Sequence, residues 1–416
     1  MNKIVKIGCI TLVFCHAFFS AGYADDTGRI DKLEKEVAEL REMVQQLAEQ
    51  NKALRAAAPS GQPIPQPSAL NKTTATPSIN NALLPPKLEL RGFGHAQYDI
   101  SRQKNKTDGT KSDTNHFTTG GVDLFITSRI NEQINFLNET LFEFDESGGA
   151  RLDVERVLLK YDISDKFKVS LGRGHTALGY CNQTFHHGQW LMTTVGRPIL
   201  YNWEDEGGIL PAHYVGLEFS GTLEAPGGEL QYISNVANGR GTITDHVQLI
   251  QDANDSKMVS SMITYKPEAI DGLSVGGNFL FDLIPAKPDT ANRSKEIDEF
   301  IYGTHLVYLK NPYEFIIEAL AIDHYNRATE LKDKTYGAYA QVAYKIKKYK
   351  PYFRFDWLNV TDSDPFYTGL AEDVSSYTAG LRYELSTWNA IKAEYRFSDF
   401  DQNSKNEATI QSSFSF

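Results

Sequence analysis

Three arginines near the end of the chain share one setting. Arg354 in "PYFRFDW", Arg382 in "AGLRYEL" and Arg396 in "AEYRFSD" are each flanked by apolar or aromatic neighbours, with Asp356, Glu384 and Glu394 two residues away. Residues two apart on a strand share a face, so these guanidinium groups should enter the lumen as pore-lining charges; in the competing reading each pairs with its carboxylate as a neutral wall. Arg91, Arg129, Arg156, Arg173 and Lys392 recur on the same parity, with Glu89 among them. Permanent cations with facing acids make a transverse field that orients dipolar solutes and tunes ion choice. They do not make a bond-breaking site. A hydrolase would need a serine, histidine and acid or an equivalent set, and no local motif proposes one. His175 and the pair His186-His187 invite a metal reading, but no carboxylate or cysteine stands at a fixed short spacing, so they read as polar loop residues. "GRGHTALG" at 172–179 follows a strand but opens no helix, which removes the phosphate-loop reading. No cofactor or metal is expected.

What must position these charges is a run of strands. From Lys87 onward the chain alternates with period two, as in "LELRGFGHAQYDI", "VDLFITSRI", "LSVGGNFLFD", "KPYFRFDWL", "YTAGLRYEL" and "AIKAEYRFS". About sixteen such segments, at about twenty residues per strand and connection, fit a transmembrane barrel. One face carries Leu, Ile, Val, Phe and Tyr, and the other carries charge at position after position. Lipid outside and water inside satisfies both. Tyr98, Tyr265, Tyr308 and Tyr383 suit the interfacial girdles. The chain ends on "SSFSF", whose parity puts Phe414 and Phe416 on the lipid face, closing the barrel against the first strand near Leu88. The expectation is an all-β, antiparallel transmembrane barrel over 87–416, with a long connection at 174–211 that breaks the alternation. A connection of that length is usually functional: it either folds inward to narrow the lumen or caps the outside.

Ahead of the barrel, Lys3 and Lys6 precede an apolar stretch that ends at "GYA", a secretory signal peptide over 1–24. Its removal takes Cys9 and Cys15, leaves only Cys181, and moves the formal net charge from −11 to −13, which argues against a nucleic-acid partner. Residues 25–55 place Ile30, Leu33, Val37, Leu40, Val44, Leu47, Asn51 and Leu54 at spacings of three and four, a periplasmic coiled coil. Arg29 and Glu36 face Glu34 and Arg41 of a parallel copy, which favours an in-register homo-oligomer of two strands or three. The Pro, Ser and Ala-rich stretch 56–86 reads as a linker.

The opening "LELRGFGHAQYD", "VSLGRG" at 169–174, "YISNVANGRG" at 232–241, "PYFRFDW" at 351–357 and "YTAGLRYELSTWNAIKAEYRFSD" at 377–399, in that order, resemble bacterial outer-membrane porins related to the phosphate-selective O/P group, in a form with an N-terminal periplasmic coiled coil. The resemblance implies a passive channel for small hydrophilic solutes or ions, anions such as phosphate among them. It also implies a homotrimer in outer-membrane lipid, an inward constriction loop, and a terminal Phe416 read by the barrel-assembly machinery. Acids interleaved with the arginines leave the selectivity sign open. The alternative is a structural anchor that reaches towards the cell wall through the coiled coil.

Overall fold

The computed structural model describes residues 87–144, 149–185, 188–202, 208–244 and 251–416. The signal peptide, coiled coil, linker, His186 and His187 lie outside the described residues. Sixteen strands run in chain order: β1 Lys87–Asn105, β2 Lys111–Arg129, β3 Ile134–Phe144, β4 Ala150–Ser164, β5 Phe167–His175, β6 His213–Ala225, β7 Gly228–Ala237 and β8 Met258–Pro267. The second half is β9 Leu273–Ile284, β10 Ile297–Lys310, β11 Tyr313–Asn326, β12 Lys332–Tyr344, β13 Tyr349–Asn359, β14 Val374–Glu384, β15 Asn389–Phe400 and β16 Asn403–Ser415. Each pairs antiparallel with its sequence neighbours, and β16 closes on β1, so the sheet is a barrel with no free side.

The two ends differ. At the end where the barrel begins and finishes, turns are tight, such as Pro226-Gly227 between β6 and β7, where Gly227 takes φ 71. The long connections 176–212, 238–257, 285–296 and 360–373 all lie at the other end. Short turns at one rim and long loops at the other is the asymmetry of outer-membrane barrels.

Leu90, Ile263, Ile317, Phe353 and Ile410 are exposed on the outer face, while their strand neighbours of opposite parity point inward. Tyr265, Tyr308 and Tyr383 stand near the tight-turn rim, and the Tyr349–Tyr383 rings, 4.9 Å apart, join two strands there. Tyr98 lies higher on β1, packed 4.6 Å from Phe117.

Closure falls higher on β1 than the parity of the terminus suggests. Phe416 N–H donates to the Gly92 carbonyl and Gly92 N–H to the Phe416 carbonyl, both at 3.0 Å, so Leu88 extends past the seam. A Cβ on Gly92 would come within 2.4 Å of the Phe416 ring, and one on Gly94 within 2.7 Å of Phe414. The two terminal rings therefore lie over the two glycines of β1, covering backbone that has no side chain of its own.

The interior is not uniformly polar. Leu280, Ile284, Ile297, Ile301, Ile316 and Ile322 point inward from β9, β10 and β11 and pack with Leu178, Leu200, Ile209 and Leu210 of the 176–212 connection. The inward-folded connection supplies the apolar partner that period-two reasoning leaves out.

Candidate functional site

The long connection begins after β5 stops short at His175 and ends at Ala212, two residues inside the 174–211 window at its start and one residue beyond it at its end. Thr176 N–H donates to the Ala212 carbonyl at 2.9 Å, and Asn182 Nδ2 donates to both the Thr176 and the Ala212 carbonyls at 3.1 Å, pinching the base of the segment. "GRGHTALG" does open a short helix, contrary to the sequence reading; it is a single turn, α1 Tyr180–Thr184, whose first amides are taken up by Glu318. The turn starts after Gly179, whose φ of 69 suits glycine. A side chain there would strike the Tyr201 hydroxyl.

The first amides of α1 need acceptors, because no turn precedes them. Glu318 of β11 provides both: Tyr180 N–H donates to it at 2.6 Å and Cys181 N–H at 2.9 Å. The same carboxylate accepts the hydroxyls of Tyr201 at 2.8 Å and Tyr339 at 2.6 Å. Four donors from the segment and β12 converge on one buried acid.

Beyond α1 the segment runs along the inward side of β11 to β15, and the strands bond its backbone with charged side chains. Lys392 Nζ donates to the carbonyls of Gln189 at 2.5 Å and Thr194 at 2.8 Å. Arg382 donates to those of Trp190 at 2.6 Å and Met192 at 2.8 Å. Arg354 donates to the carbonyls of Gly196 at 2.9 Å and Arg197 at 2.8 Å and to the Thr194 hydroxyl at 3.0 Å. Acids take the donors: Val195 N–H goes to Glu394 at 2.8 Å and Ile199 N–H to Asp356 at 3.0 Å. A loop inside a barrel has backbone groups that water no longer reaches, and these side chains satisfy them.

The three arginine–acid pairs expected from i, i+2 spacing are present. Arg354 Nε donates to Asp356 at 2.8 Å, Arg382 Nε to Glu384 at 2.8 Å, and Arg396 lies 3.4 Å from Glu394. Arg354 and Lys392 are each 0% exposed, so they sit beneath the segment and not on an open wall. Arg396 is partly exposed, packed against Gly196. Arg156 pairs with Glu139 and lies 5.5 Å over the Phe125 ring, and Arg173 is buried at the end of β5. Arg91 and Arg129 are exposed at the tight-turn rim, on neighbouring strands. The structure thus gathers Arg354, Asp356, Arg382, Glu384, Lys392, Glu394 and Arg396 around the segment and leaves the other four apart.

Glu314, Glu318, Tyr339, Gln341, Lys350 and Tyr352 belong to the same framework and carry no spacing motif. Lys350 and Gln341 both donate to Glu314, at 2.5 and 2.7 Å, and Lys350 also reaches the Thr193 hydroxyl at 2.9 Å. Their one signal was parity, since each is a polar residue on the inward face of a strand otherwise rich in apolar residues. A second network sits nearer the loop end. Arg240 donates to Glu299 at 2.9 Å and to the Ile209 carbonyl at 2.6 Å, and His324 lies between Glu299 at 3.1 Å and Asp364 at 2.7 Å. Tyr367 also donates to the Ile209 carbonyl, at 2.8 Å, so 360–373 packs on the end of the segment.

Around β16 and β1 to β6 the inward face is different. His95, Gln97, Asp99, Lys160 and Glu218 are half-buried there. Asp99 accepts from Thr409 at 2.6 Å, Gln97 at 2.8 Å and Thr118 at 3.3 Å. Among the described residues, no group of three His, Cys, Asp or Glu has the geometry to hold a metal ion.

No protein-family model matches the chain, and no curated protein does either. Solved structures do. The anion-selective porin of Comamonas acidovorans superposes with a TM-score of 0.56 at 11% identity, over 79% of this chain and 100% of that one. The outer-membrane channel DcaP of Acinetobacter baumannii gives 0.56 at 11%, over 80% and 97%. Salmonella typhi OmpF in complex with daunomycin gives 0.52 at 13%, over 80% and 98%. The chain has the sixteen-stranded fold of bacterial porins.

Proposed function

We propose that the chain forms a passive outer-membrane channel for small hydrophilic solutes, in which 176–202 narrows the passage. The observation that supports this most directly is the route of that segment. It is bonded along the inward side of β11 to β15, and the inward side of β16 and β1 to β6 keeps half-exposed polar residues that can line a wet path. In this reading the barrel sits in outer-membrane lipid as a homotrimer, Phe416 serves its assembly, and the coiled coil stands in the periplasm and can reach the cell wall. An arginine ladder for phosphate has less support, because Arg354, Arg382 and Lys392 are taken up by backbone carbonyls. A structural anchor is the second reading, favoured by the apolar packing that fills the interior beside β9 to β11. Planar-bilayer recording of the purified full chain separates the two. Stepwise conductance is expected of the channel, and a silent bilayer with correctly folded protein overturns it.

A further inference from the structure

We propose that the passage prefers cations, with Asp99 and Glu218 as the residues that set the preference; this rests on the channel reading above. The basic side chains around the segment are paired or covered where they stand. Arg354, Arg382 and Arg396 each face a carboxylate, Lys350 faces Glu314, and Lys392 is enclosed by the carbonyls of Gln189 and Thr194. A guanidinium that is paired and roofed projects little field into water beyond the segment.

The uncovered wall is arranged the other way. Asp99 is half-exposed, and its three hydrogen bonds come from the neutral groups of Gln97, Thr118 and Thr409. Neutral donors orient a carboxylate without bringing an opposite charge to it. Glu218 is held in the same manner by Tyr214 at 3.2 Å and Asn235 at 3.5 Å. Neither acid has a Lys or Arg nitrogen within 4.0 Å among the described residues. Among the basic groups on these strands, Arg156 is paired with Glu139 and Lys405 with Glu407, Lys160 stands near Glu218 without bonding it, Arg173 is buried at the end of β5, and Arg91 and Arg129 lie at the tight-turn rim, Arg91 eight residues along β1 from Asp99. Carboxylates at a constriction raise the local cation concentration and exclude anions, as acidic rings do in cation channels.

The test is the reversal potential of the full chain in a tenfold potassium chloride gradient. The wild type is expected to reverse on the cation side, and D99N/E218Q should lose at least half of that potential while keeping its conductance. The difference should be larger with a tenfold gradient between 0.01 and 0.1 M than with one between 0.1 and 1 M, since the Debye length falls from about 10 Å at 0.1 M to about 3 Å at 1 M. An anion-side reversal in the wild type, or an unchanged potential in the double variant, overturns the proposal and leaves the channel standing. No conductance at all overturns the channel reading beneath it. Heat-modifiable migration of both proteins confirms that the variant barrel has folded, and R396Q, which removes one charge from a paired residue, should move the potential much less than either D99N or E218Q alone.

Discussion

The Tyr201 hydroxyl donates to the Glu318 carboxylate at 2.8 Å, joining residues 117 apart in the chain. It ties the far end of the segment to the acid that also receives its first helical turn, so one side chain holds both ends of a loop. Glu318→Ala leaves two hydroxyls and two amides without their acceptor, at about 1–3 kcal/mol for each group that water does not reach. The segment should loosen before the barrel does. Single-channel recording is expected to show larger and noisier steps for E318A, and a smaller change in the same direction for Y201F. Traces that match the wild type would remove Glu318 from this role.

The paired arginines separate by what else they bond. Arg354→Gln and Arg382→Gln each remove donors to segment carbonyls; Arg354→Gln also leaves the buried Asp356 uncompensated, a loss on the order of 3–5 kcal/mol when one partner of a buried pair goes, while Glu384 keeps partial access to water and its loss is smaller. Both should alter conductance and lower the temperature of barrel unfolding. Arg396→Gln breaks only the longer, partly exposed contact with Glu394 and should do neither. Equal behaviour of all three in conductance and thermal melts would mean that the bonds to Gly196, Arg197, Trp190 and Met192 carry no weight.

These assignments show which parts of the molecule were legible in the chain. Alternation gave β9 and β13 to within about two residues, because lipid on one side and protein or water on the other leaves period two little freedom. It gave the three arginine–acid pairs for the same reason. It could not show that Arg354 lies under a loop, since strand parity states the face and not what covers it. Leu280 and Ile301 were illegible as interior residues, because an apolar inward position makes sense only once 176–212 is known to fold against it. Glu318, the one charge within the apolar "FIIEALAI" at 315–322, carries no local signal for its role as the acceptor for the segment's first helical turn.

The terminal residue has two separable roles. Deleting Phe416 removes a reciprocal pair of backbone bonds to Gly92 and uncovers that glycine. The amount of protein reaching the outer membrane is expected to fall, with the signal peptide still cleaved. Gly94→Val keeps the terminus but forces a side chain against the Phe414 ring, an overpacking cost of about 1–3 kcal/mol. That variant should reach the membrane and lose its heat-resistant form at a lower temperature. If G94V is as stable as the wild type, the rings are not seated on β1.

Cys181 offers a direct report on the position of the segment. It is the one cysteine outside residues 1–24, 1% exposed in α1 and packed among the apolar side chains around Leu178 and Leu200. Burial, and then the neighbouring Glu318 charge, push its thiol up to about 12. The thiolate is the reactive species, so at pH 7 to 8 the folded wild type should take up a soluble maleimide far more slowly than the unfolded chain does. Raising the pH to 9 should accelerate labelling of the unfolded chain, whose thiols titrate near 8.5, and do little for the folded one. Glu318→Ala removes the acid and frees the turn that covers the thiol, so its labelling rate at pH 8 should move towards that of the unfolded protein. Measured beside conductance, the two readouts should change together. Fast labelling of the native wild type would show that Cys181 is open to water, and would place the segment away from the wall formed by β11 and β12.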